Sequence, residues 1–415
     1  MTTAHRPRWR DSRRPLARFV VQPVARFLQV EAAGGVLLLA ATIAALVWAN
    51  SPWSAGYRGT WDAVVSLGVG PFHLAESLGH WVNDGLMALF FFVVGLEIKR
   101  ELVNGELANR RHAALPALAA LGGMVVPATI FVALNAGTPG ARGWGIPMAT
   151  DIAFALGVLT LLGRRIPGSV GILLLGLAIA DDIGAIVVIA VFYTEQISLG
   201  WLAAAVAGLA VVTVMRRAGV WYVPAYVLVG AVVWLCTLES GVHATIAGVA
   251  LGLLTPARPG RRDVGDVSVA ERLETALHPW TSYVVIPIFA LANAGIPLST
   301  TALRDATSSR LTIGVVLGLV AGKVIGITSF AWLAVRLRLA RLPDELRWGH
   351  IVGMGALAGV GFTVSIFVAG LAYDDVVAQD EAKVGVLVAS VVAAALGSAL
   401  LLRATKRDTM TTRRD

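Results

Sequence analysis

Four charged side chains lie in the middle of long apolar stretches of the sequence. Asp181 and Asp182 are adjacent in one stretch, Asp151 lies in a second and Lys323 in a third, each near the midpoint. A charge at the centre of a membrane-spanning helix costs at least about 2.5 to 3.5 kcal/mol, so it must face a partner or a water-filled cavity. These four residues are therefore candidates for a functional site.

The spacing of these residues limits how they can act together. Neighbouring residues on a helix point about 100° apart, so Asp181 and Asp182 cannot clamp one ion as an i, i+4 pair would, and we expect separate partners. Charge balance favours a pair between Lys323 and one of the two aspartates. The alternative is a buried ion pair that only fixes helix packing, but this leaves one aspartate and Asp151 as unpaired acids.

Other polar residues are open to more than one interpretation. Asp84 follows Asn83 inside a predicted helix, where packing and transport roles are equally plausible. Glu97 and Glu101 lie at the end of the same helix, where a solvated cap is the ordinary interpretation. His243 is either a polar residue of a first helical turn or a titrating sensor.

The composition identifies the kind of protein that must hold these residues. Hydrophobic residues make up 57% of the 415 before the 44 glycines are counted, and only 14% are charged, against about 25% in soluble domains. This indicates a polytopic membrane protein. A single cysteine, Cys236, excludes an intrachain disulfide and thiolate metal sites. The net charge of +8 lies in tails and between apolar runs, which does not indicate nucleic-acid binding.

Apolar windows of about 20 residues predict an all-α protein with about twelve transmembrane helices. Their predicted limits are 31–49, 77–98, 113–135, 144–163, 168–193, 199–215, 220–238, 241–255, 278–296, 311–333, 349–372 and 384–402. They form one transmembrane domain over 31–403, between an arginine-rich N-terminal tail (1–30) and a C-terminal tail (404–415). Residues 63–76 are expected to form a periplasmic hairpin.

The lysines and arginines orient these helices. With the N-terminus in the cytoplasm, alternation places 28 of the 34 basic residues on the cytoplasmic side and five on the other, and Lys323 is the one left in the membrane. Both termini are therefore predicted to be cytoplasmic. Helices 4 and 11 carry helix-weakening residues, including Gly359 and Gly361. Each is the middle of a triplet, helices 3–5 and 10–12, so we predict inverted-topology repeats with two discontinuous helices.

Midplane carboxylates suit small hard cations. A desolvated carboxylate can hold a proton or, with carbonyls and water, a sodium or lithium ion, and one site with two competing ligands gives antiport. A passive cation channel is the nearest alternative, since it would show ion flux without coupling to a proton gradient. An intramembrane aspartyl protease is disfavoured because the Gly-x-Gly-Asp context is absent from both aspartate motifs.

Over about residues 30–403 the chain resembles the NhaA-type sodium/proton antiporters. The resemblance depends on these motifs: FFFVVGLEIKREL (90–102), ATDIAFALG (149–157), ADDIGAI (180–186), SGVHAT (240–245), FALANAG (289–295) and GVGFT (359–363). It implies an electrogenic transporter of the bacterial inner membrane, not an enzyme, that needs no cofactor and exchanges Na⁺ or Li⁺ for H⁺.

The resemblance also implies residue roles. Asp182 is the ion and proton carrier, and Asp181 and Thr150 are expected to bind the ion or the proton with it. Asp181 also pairs with Lys323, and Thr150 and Asp151 lie in the unwound crossing of helix 4. Gly359 and Gly361 lie near that of helix 11. The resemblance further implies that four residues belong to a cytoplasmic funnel that responds to pH: Glu97, Glu101, His243 and Glu274.

Two further expectations concern regulation and assembly. The family often has histidine where this chain has Thr275, so the details of pH sensing are expected to differ. From the residues themselves, Asp151 is predicted to compensate the partial positive charge of half-helix N-termini. The hairpin at 63–76 is predicted to join two copies in a homodimer, because an exposed hairpin offers edges for pairing.

Overall fold

The described part of the chain is predominantly helical. The computed structural model describes residues 22–69, 72–105, 108, 110–194, 197–220, 222–257 and 268–411. The arginines of the tail before residue 22 and the Gly70-Pro71 turn of the predicted hairpin lie outside the described residues.

The continuous helices are numbered in chain order. They are α1 (Gln22–Ala49), α2 (Ser54–Trp61), α3 (78–104), α4 (Arg110–Asn135), α5 (Gly168–Phe192), α6 (Leu199–Arg217), α7 (Val223–Glu239), α8 (Thr245–Leu254), α9 (Val269–Asn293), α10 (Thr300–Ser308), α11 (Arg310–Arg336) and α12 (Val376–Thr411). A short 3₁₀ turn occupies Gly163–Arg165. Three helices contain π-helical turns, at Trp81–Leu86 in α3, Thr281–Val285 in α9 and Gly318–Gly322 in α11.

Two membrane segments are interrupted where the sequence predicted it. Half-helix A (Pro139–Met148, 3₁₀) is followed by half-helix B (Ile152–Leu162) at a bend of 44°. Half-helix C (Trp348–Leu357) is followed by half-helix D (Phe362–Ala372) at a bend of 48°. A sharper bend of 116°, between α1 and α2, was not predicted.

The count of spans agrees with a polytopic membrane protein. Among the described residues, six helices are long and apolar enough to cross a bilayer, and up to nine spans result if each bent pair is one span. Every predicted window contains helix. Twelve spans and inverted repeats stay predictions.

Several helices extend beyond their apolar windows. α9 begins at Val269 rather than 278, because the Ser268 side chain accepts a hydrogen bond from the Glu271 amide and caps an additional polar turn. α1 begins within the predicted N-terminal tail, and α12 continues into the predicted C-terminal tail. Hydropathy defines the apolar part of a helix and does not detect the polar turns outside the bilayer.

Two short strands on either side of residues 70–71 lie where the hairpin at 63–76 was expected. Strands β1 (Val64–Val69) and β2 (Phe72–Ser77) pair antiparallel, with Val64 opposite Ser77. Whether this hairpin lies in the periplasm and joins two copies stays a prediction.

The packing of α4 against α11 sets the position of Lys323. Gly122 and Gly326 meet so closely that a Cβ on either would press on the carbonyl oxygen of the other. One turn away, a Cβ on Gly322 would lie 2.8 Å from the Cα of Pro127. Lys323 follows the π-turn Gly318–Gly322 directly and is completely buried. Since π-turns shift the register of side chains and recur at functional sites, this turn sets where the lysine emerges.

Candidate functional site

The four charged residues found in the sequence come together at the helix interruptions. Asp181 and Asp182 lie in the middle of α5, Lys323 lies in α11, and Asp151 lies between half-helices A and B. All four are buried, and only Asp182 has as much as 5% of its surface exposed.

Lys323 pairs with Asp181, not with Asp182. Its Nζ lies 2.6 Å from Asp181 Oδ2 and 2.9 Å from Thr150 Oγ1, and it also donates a hydrogen bond to the Met148 carbonyl. Thr150 Oγ1 lies 2.7 Å from Asp181 Oδ2 and 2.9 Å from the Ala358 carbonyl oxygen. The hydroxyl has a single proton to donate to these two acceptors. The structure therefore identifies Asp181 as the aspartate of the predicted pair.

Asp151 caps two half-helices at once. Its Oδ1 accepts a hydrogen bond from the Phe154 amide, 2.9 Å away, at the start of half-helix B. Its Oδ2 accepts from the Thr363 amide at 3.0 Å and from the Thr363 hydroxyl at 2.6 Å, at the start of half-helix D. Thr363 was not singled out in the sequence, where its partner Asp151 lies 212 residues away.

The two interruptions, between half-helices A and B and between C and D, meet in one region, which is called the crossing below. Charges in the crossing are arranged in a complementary way. Helix N-termini carry partial positive charge and C-termini partial negative charge. Asp151 meets the N-termini of half-helices B and D, whereas Lys323 and Thr150 meet the carbonyls that end half-helices A and C, Met148 and Ala358. The backbone is also joined directly, since the Asp151 amide donates to the Val360 carbonyl at 2.7 Å. Backbone groups that would be costly in a dry bilayer are thus satisfied.

Asp182 differs from the other acids. It lines a narrow cavity of about 40 Å³, which is room for a few water molecules. Asp151, Thr150 and Thr363 line the same cavity on the side of the crossing, and Glu97 and His278 line it on the side of α3 and α9. Within the described ranges, no residue donates a hydrogen bond to the Asp182 carboxylate. Asp182 is thus the acid that is free to take a ligand.

A cluster of ion pairs lies at the end of α3. Glu97 Oε1 is 3.3 Å from His278 Nδ1, Arg100 forms an ion pair with Glu274, and Arg100 also lies 3.3 Å from Glu101. Three of the four residues implied for the funnel are therefore together. His278 carries no motif of its own in the sequence, although its i, i+4 spacing from Glu274 places both on one face of α9.

The chain is similar in sequence to proteins that are already known. The sequence matches the Na⁺/H⁺ antiporter 1 family over residues 25–401. The chain belongs to this family. It is 46% identical to the Na⁺/H⁺ antiporter NhaA 2 of Sorangium cellulosum, over 94% of this chain and 92% of that protein. Identity is 45% with the antiporter NhaA of Rhodopirellula baltica, covering 94% of this chain and 95% of that protein. It is 47% with that of Albidiferax ferrireducens, covering 94% and 100%.

In this member of the antiporter family, His243 does not lie with the other three residues implied for the cytoplasmic funnel. Its Nε2 lies 2.7 Å from the Tyr193 carbonyl, and its side chain lines a separate cavity of about 390 Å³ together with Asp84. Asp84 lies 13 residues before Glu97 on α3, which is about 20 Å along a helix. His243 therefore lies near the opposite end of α3 from the Glu97 cluster.

Asp84 does not join the cluster around Lys323. Its Oδ2 lies 2.8 Å from Nε2 of His80, one turn earlier in α3, and its backbone carbonyl accepts a hydrogen bond from the Trp234 indole. In the antiporter fold it belongs to the cavity that His243 also lines.

Gly359 and Gly361 lie in the interruption between half-helices C and D, as predicted for the antiporter family. A Cβ on Gly359 would press on the Leu319 carbonyl, which belongs to the π-turn before Lys323. The glycines predicted an interruption of the helix from the sequence alone. Only the structure shows that Gly359 must also approach α11 closely.

Proposed function

We propose that the chain exchanges Na⁺ or Li⁺ for H⁺ across the bacterial inner membrane by alternating access, with Asp182 as the carrier. The observation that carries this proposal is the contrast between two adjacent acids. Asp181 is held by Lys323 and Thr150, whereas Asp182 faces the cavity and has no hydrogen-bond donor among the described residues. A buried carboxylate with no partner is unfavourable, so it must bind a cation or a proton.

Competition for this carboxylate supplies the coupling. A hard cation takes oxygen ligands, and Asp182 offers two. The Oδ1 atom of Asp181, the neighbouring acid that we propose also takes part in ion binding, is buried and makes no hydrogen bond to any described residue, although Asp181 does not line the cavity. A proton on Asp182 removes its charge and with it the ion site. The two ligands therefore exclude one another, which couples the exit of one to the entry of the other.

The Glu97 cluster is proposed to control access from the cytoplasm in response to pH. Glu97 and His278 line the cavity that leads to Asp182, and the Arg100–Glu274 pair lies beside them. Thr275 is exposed and donates its hydroxyl to the Glu271 carbonyl at 2.7 Å, so it does not line that cavity. We infer that pH sensing in this chain depends on His278 rather than on residue 275.

The proposal extends to architecture. Half-helices A and B cross C and D, and their termini share Asp151, as expected if helices 3–5 and 10–12 are inverted repeats that rock about one site. Cytoplasmic termini follow from the distribution of basic residues. Electrogenic transport and a homodimer joined through β1 and β2 are part of the same proposal.

The test uses purified protein in sealed proteoliposomes with an acidic interior. Adding Na⁺ outside should dissipate the pH gradient, whereas a passive cation channel would carry Na⁺ without this coupling. Asp182→Asn should abolish both Na⁺ binding and proton release, because both ligands use one carboxylate. Asp62→Asn is the matched control, since Asp62 is an exposed acid outside the cavity. Coupled exchange that persists in Asp182→Asn would refute the carrier assignment.

A further inference from the structure

Two buried tyrosines hold half-helix A between Gly140 and Gly145, before its end at Met148. Tyr193, directly after α5, is 1% exposed, and Tyr373, directly after half-helix D, is 8% exposed. Neither was singled out in the sequence analysis, and neither lines the cavity of Asp182.

The Tyr193 hydroxyl is inserted into the 3₁₀ helix itself. It donates to the Arg142 carbonyl at 2.9 Å and accepts from the Gly145 amide at 3.1 Å. These two backbone groups are three residues apart and would pair with each other in an uninterrupted 3₁₀ helix. Between them, Gly143 has non-helical dihedrals (φ −79°, ψ 16°). A side chain inserted into a helical ladder is a known cause of such a kink.

Tyr373 holds the first turn of the same half-helix. Its hydroxyl donates to the Gly140 carbonyl at 2.6 Å. The glycines of the segment make room for both rings, since a Cβ on Gly145 would lie 2.7 Å from the Tyr193 hydroxyl and one on Gly143 would lie 2.7 Å from Tyr373 Cζ. The motif around Gly143 and Gly145 thus serves close approach as well as helix weakening.

Tyr193 and Tyr373, with the backbone groups of half-helix A that they contact, are called the clamp below. A short piece of backbone connects the clamp to the charged cluster. Half-helix A ends at Met148, whose carbonyl accepts a hydrogen bond from Lys323. Gly145 lies only three residues earlier, about 6 Å along a 3₁₀ helix. Tyr193 directly follows α5, the helix that carries Asp181. Tyr193 therefore fixes the middle of half-helix A to the end of α5, while Lys323 holds the end of half-helix A at Met148.

We propose that Tyr193 and Tyr373 are positioning residues for ion exchange, which set where the Met148 carbonyl and Thr150 meet Lys323 and Asp181. This inference rests on the proposed antiport. Removing a hydroxyl lets half-helix A straighten or shift, which misplaces the polar groups around the ion site without removing any of them.

Tyrosine-to-phenylalanine variants test this directly. Tyr193→Phe keeps the ring, and Trp144 still packs edge-on against Phe192 at 4.9 Å, so the fold should persist. The matched control is Tyr226→Phe, because the Tyr226 hydroxyl also donates to a backbone carbonyl, that of Val220 at 3.0 Å, in an exposed part of the chain. The measurement is the Na⁺ concentration for half-maximal proton exchange by folded protein in proteoliposomes.

The proposal predicts that Tyr193→Phe raises this Na⁺ concentration about fivefold or more, as expected when a buried hydrogen-bond network is broken, while Tyr226→Phe leaves it unchanged. Tyr373→Phe should have a smaller effect in the same direction, and it serves as the second variant if Tyr193→Phe does not fold. In a Thr150→Val background the effect of Tyr193→Phe should shrink, because both changes act on one segment.

Two other results would count against the proposal in different ways. Folded Tyr193→Phe and Tyr373→Phe that lower only thermal stability, with unchanged Na⁺ dependence, would overturn the positioning role and leave the proposed antiport intact. Absence of Na⁺-coupled proton exchange in the unmodified chain would overturn both. Hydrogen exchange of the 139–148 amides gives a readout independent of transport: it should accelerate in Tyr193→Phe and not in Tyr226→Phe.

Discussion

The Asp181–Lys323 pair gives a sharp test of how the site is built. Both side chains are completely buried, and their charged atoms are 2.6 Å apart. In Lys323→Gln the Asp181 carboxylate keeps only Thr150 as a donor, and in Asp181→Asn the ammonium keeps only Thr150 and the Met148 carbonyl. Each single substitution therefore leaves an uncompensated charge in the core.

The magnitude follows from the geometry. At an effective dielectric constant of 20, the attraction at this distance is about 6 kcal/mol, and it offsets the desolvation of both ions. Removing one partner of such a pair typically costs about 3 to 5 kcal/mol. The double substitution Asp181→Asn with Lys323→Gln removes both charges, so its cost should be smaller than that of either single one. The expected coupling energy is at least about 3 kcal/mol.

Thermal unfolding of the detergent-solubilised protein measures the order of stability. We expect both single variants to melt lower than the double variant, with Asp62→Asn indistinguishable from the unmodified chain. Additive losses, with the double variant least stable, would refute the assignment of the pair as mutually compensating.

Transport by the double variant tests a second part of the reasoning. With Asp182 intact, Na⁺ should still exchange for H⁺. Fewer charges should move per cycle, because electrogenic exchange is proposed to move more protons than sodium ions and the titrating lysine or aspartate of the pair is proposed to carry the additional proton. Exchange is measured in proteoliposomes with and without an imposed potential. Undiminished voltage dependence in the double variant would contradict this role.

Two further predictions concern the crossing and the hairpin. Asp151→Asn should lower turnover or apparent Na⁺ affinity but retain Na⁺-dependent proton release, because compensation of a half-helix N-terminus contributes about 0.3 to 2 kcal/mol; complete inactivity of folded protein would instead make Asp151 an ion ligand. Deleting residues 66–74 should reduce the abundance of cross-linked dimers, and an unchanged abundance would mean that the hairpin is not the contact between copies.

Local signals predicted much of this arrangement. Asp151, Asp182 and Lys323 stand out because a charge in an apolar window has no local explanation. The interruptions before Ile152 and Phe362 were predictable because glycine and proline weaken helices wherever they occur. Such signals require only the neighbouring sequence.

Tertiary partners were not predictable in the same way. Charge balance could not choose between Asp181 and Asp182, because the choice depends on the rotation of α5 relative to α11. The insertion of the Tyr193 hydroxyl into half-helix A depends on a contact across 48 residues, for which the sequence carries no periodic signal. His243 lies apart from the other residues of the implied funnel, and the predicted alternation of the spans already puts residues 239–244 on the non-cytoplasmic side.

The charges at the crossing balance without Asp182. Asp151 compensates two half-helix N-termini, and Asp181 neutralises Lys323, which also meets the carbonyl end of half-helix A. A ligand leaving Asp182 therefore exposes a buried carboxylate to which no described residue donates a hydrogen bond. Because such a charge is costly in the low dielectric of the membrane, the empty site is disfavoured in any conformation that seals the cavity. Reorientation of the site is then expected only with Na⁺, Li⁺ or H⁺ bound, which is the condition for exchange rather than leak.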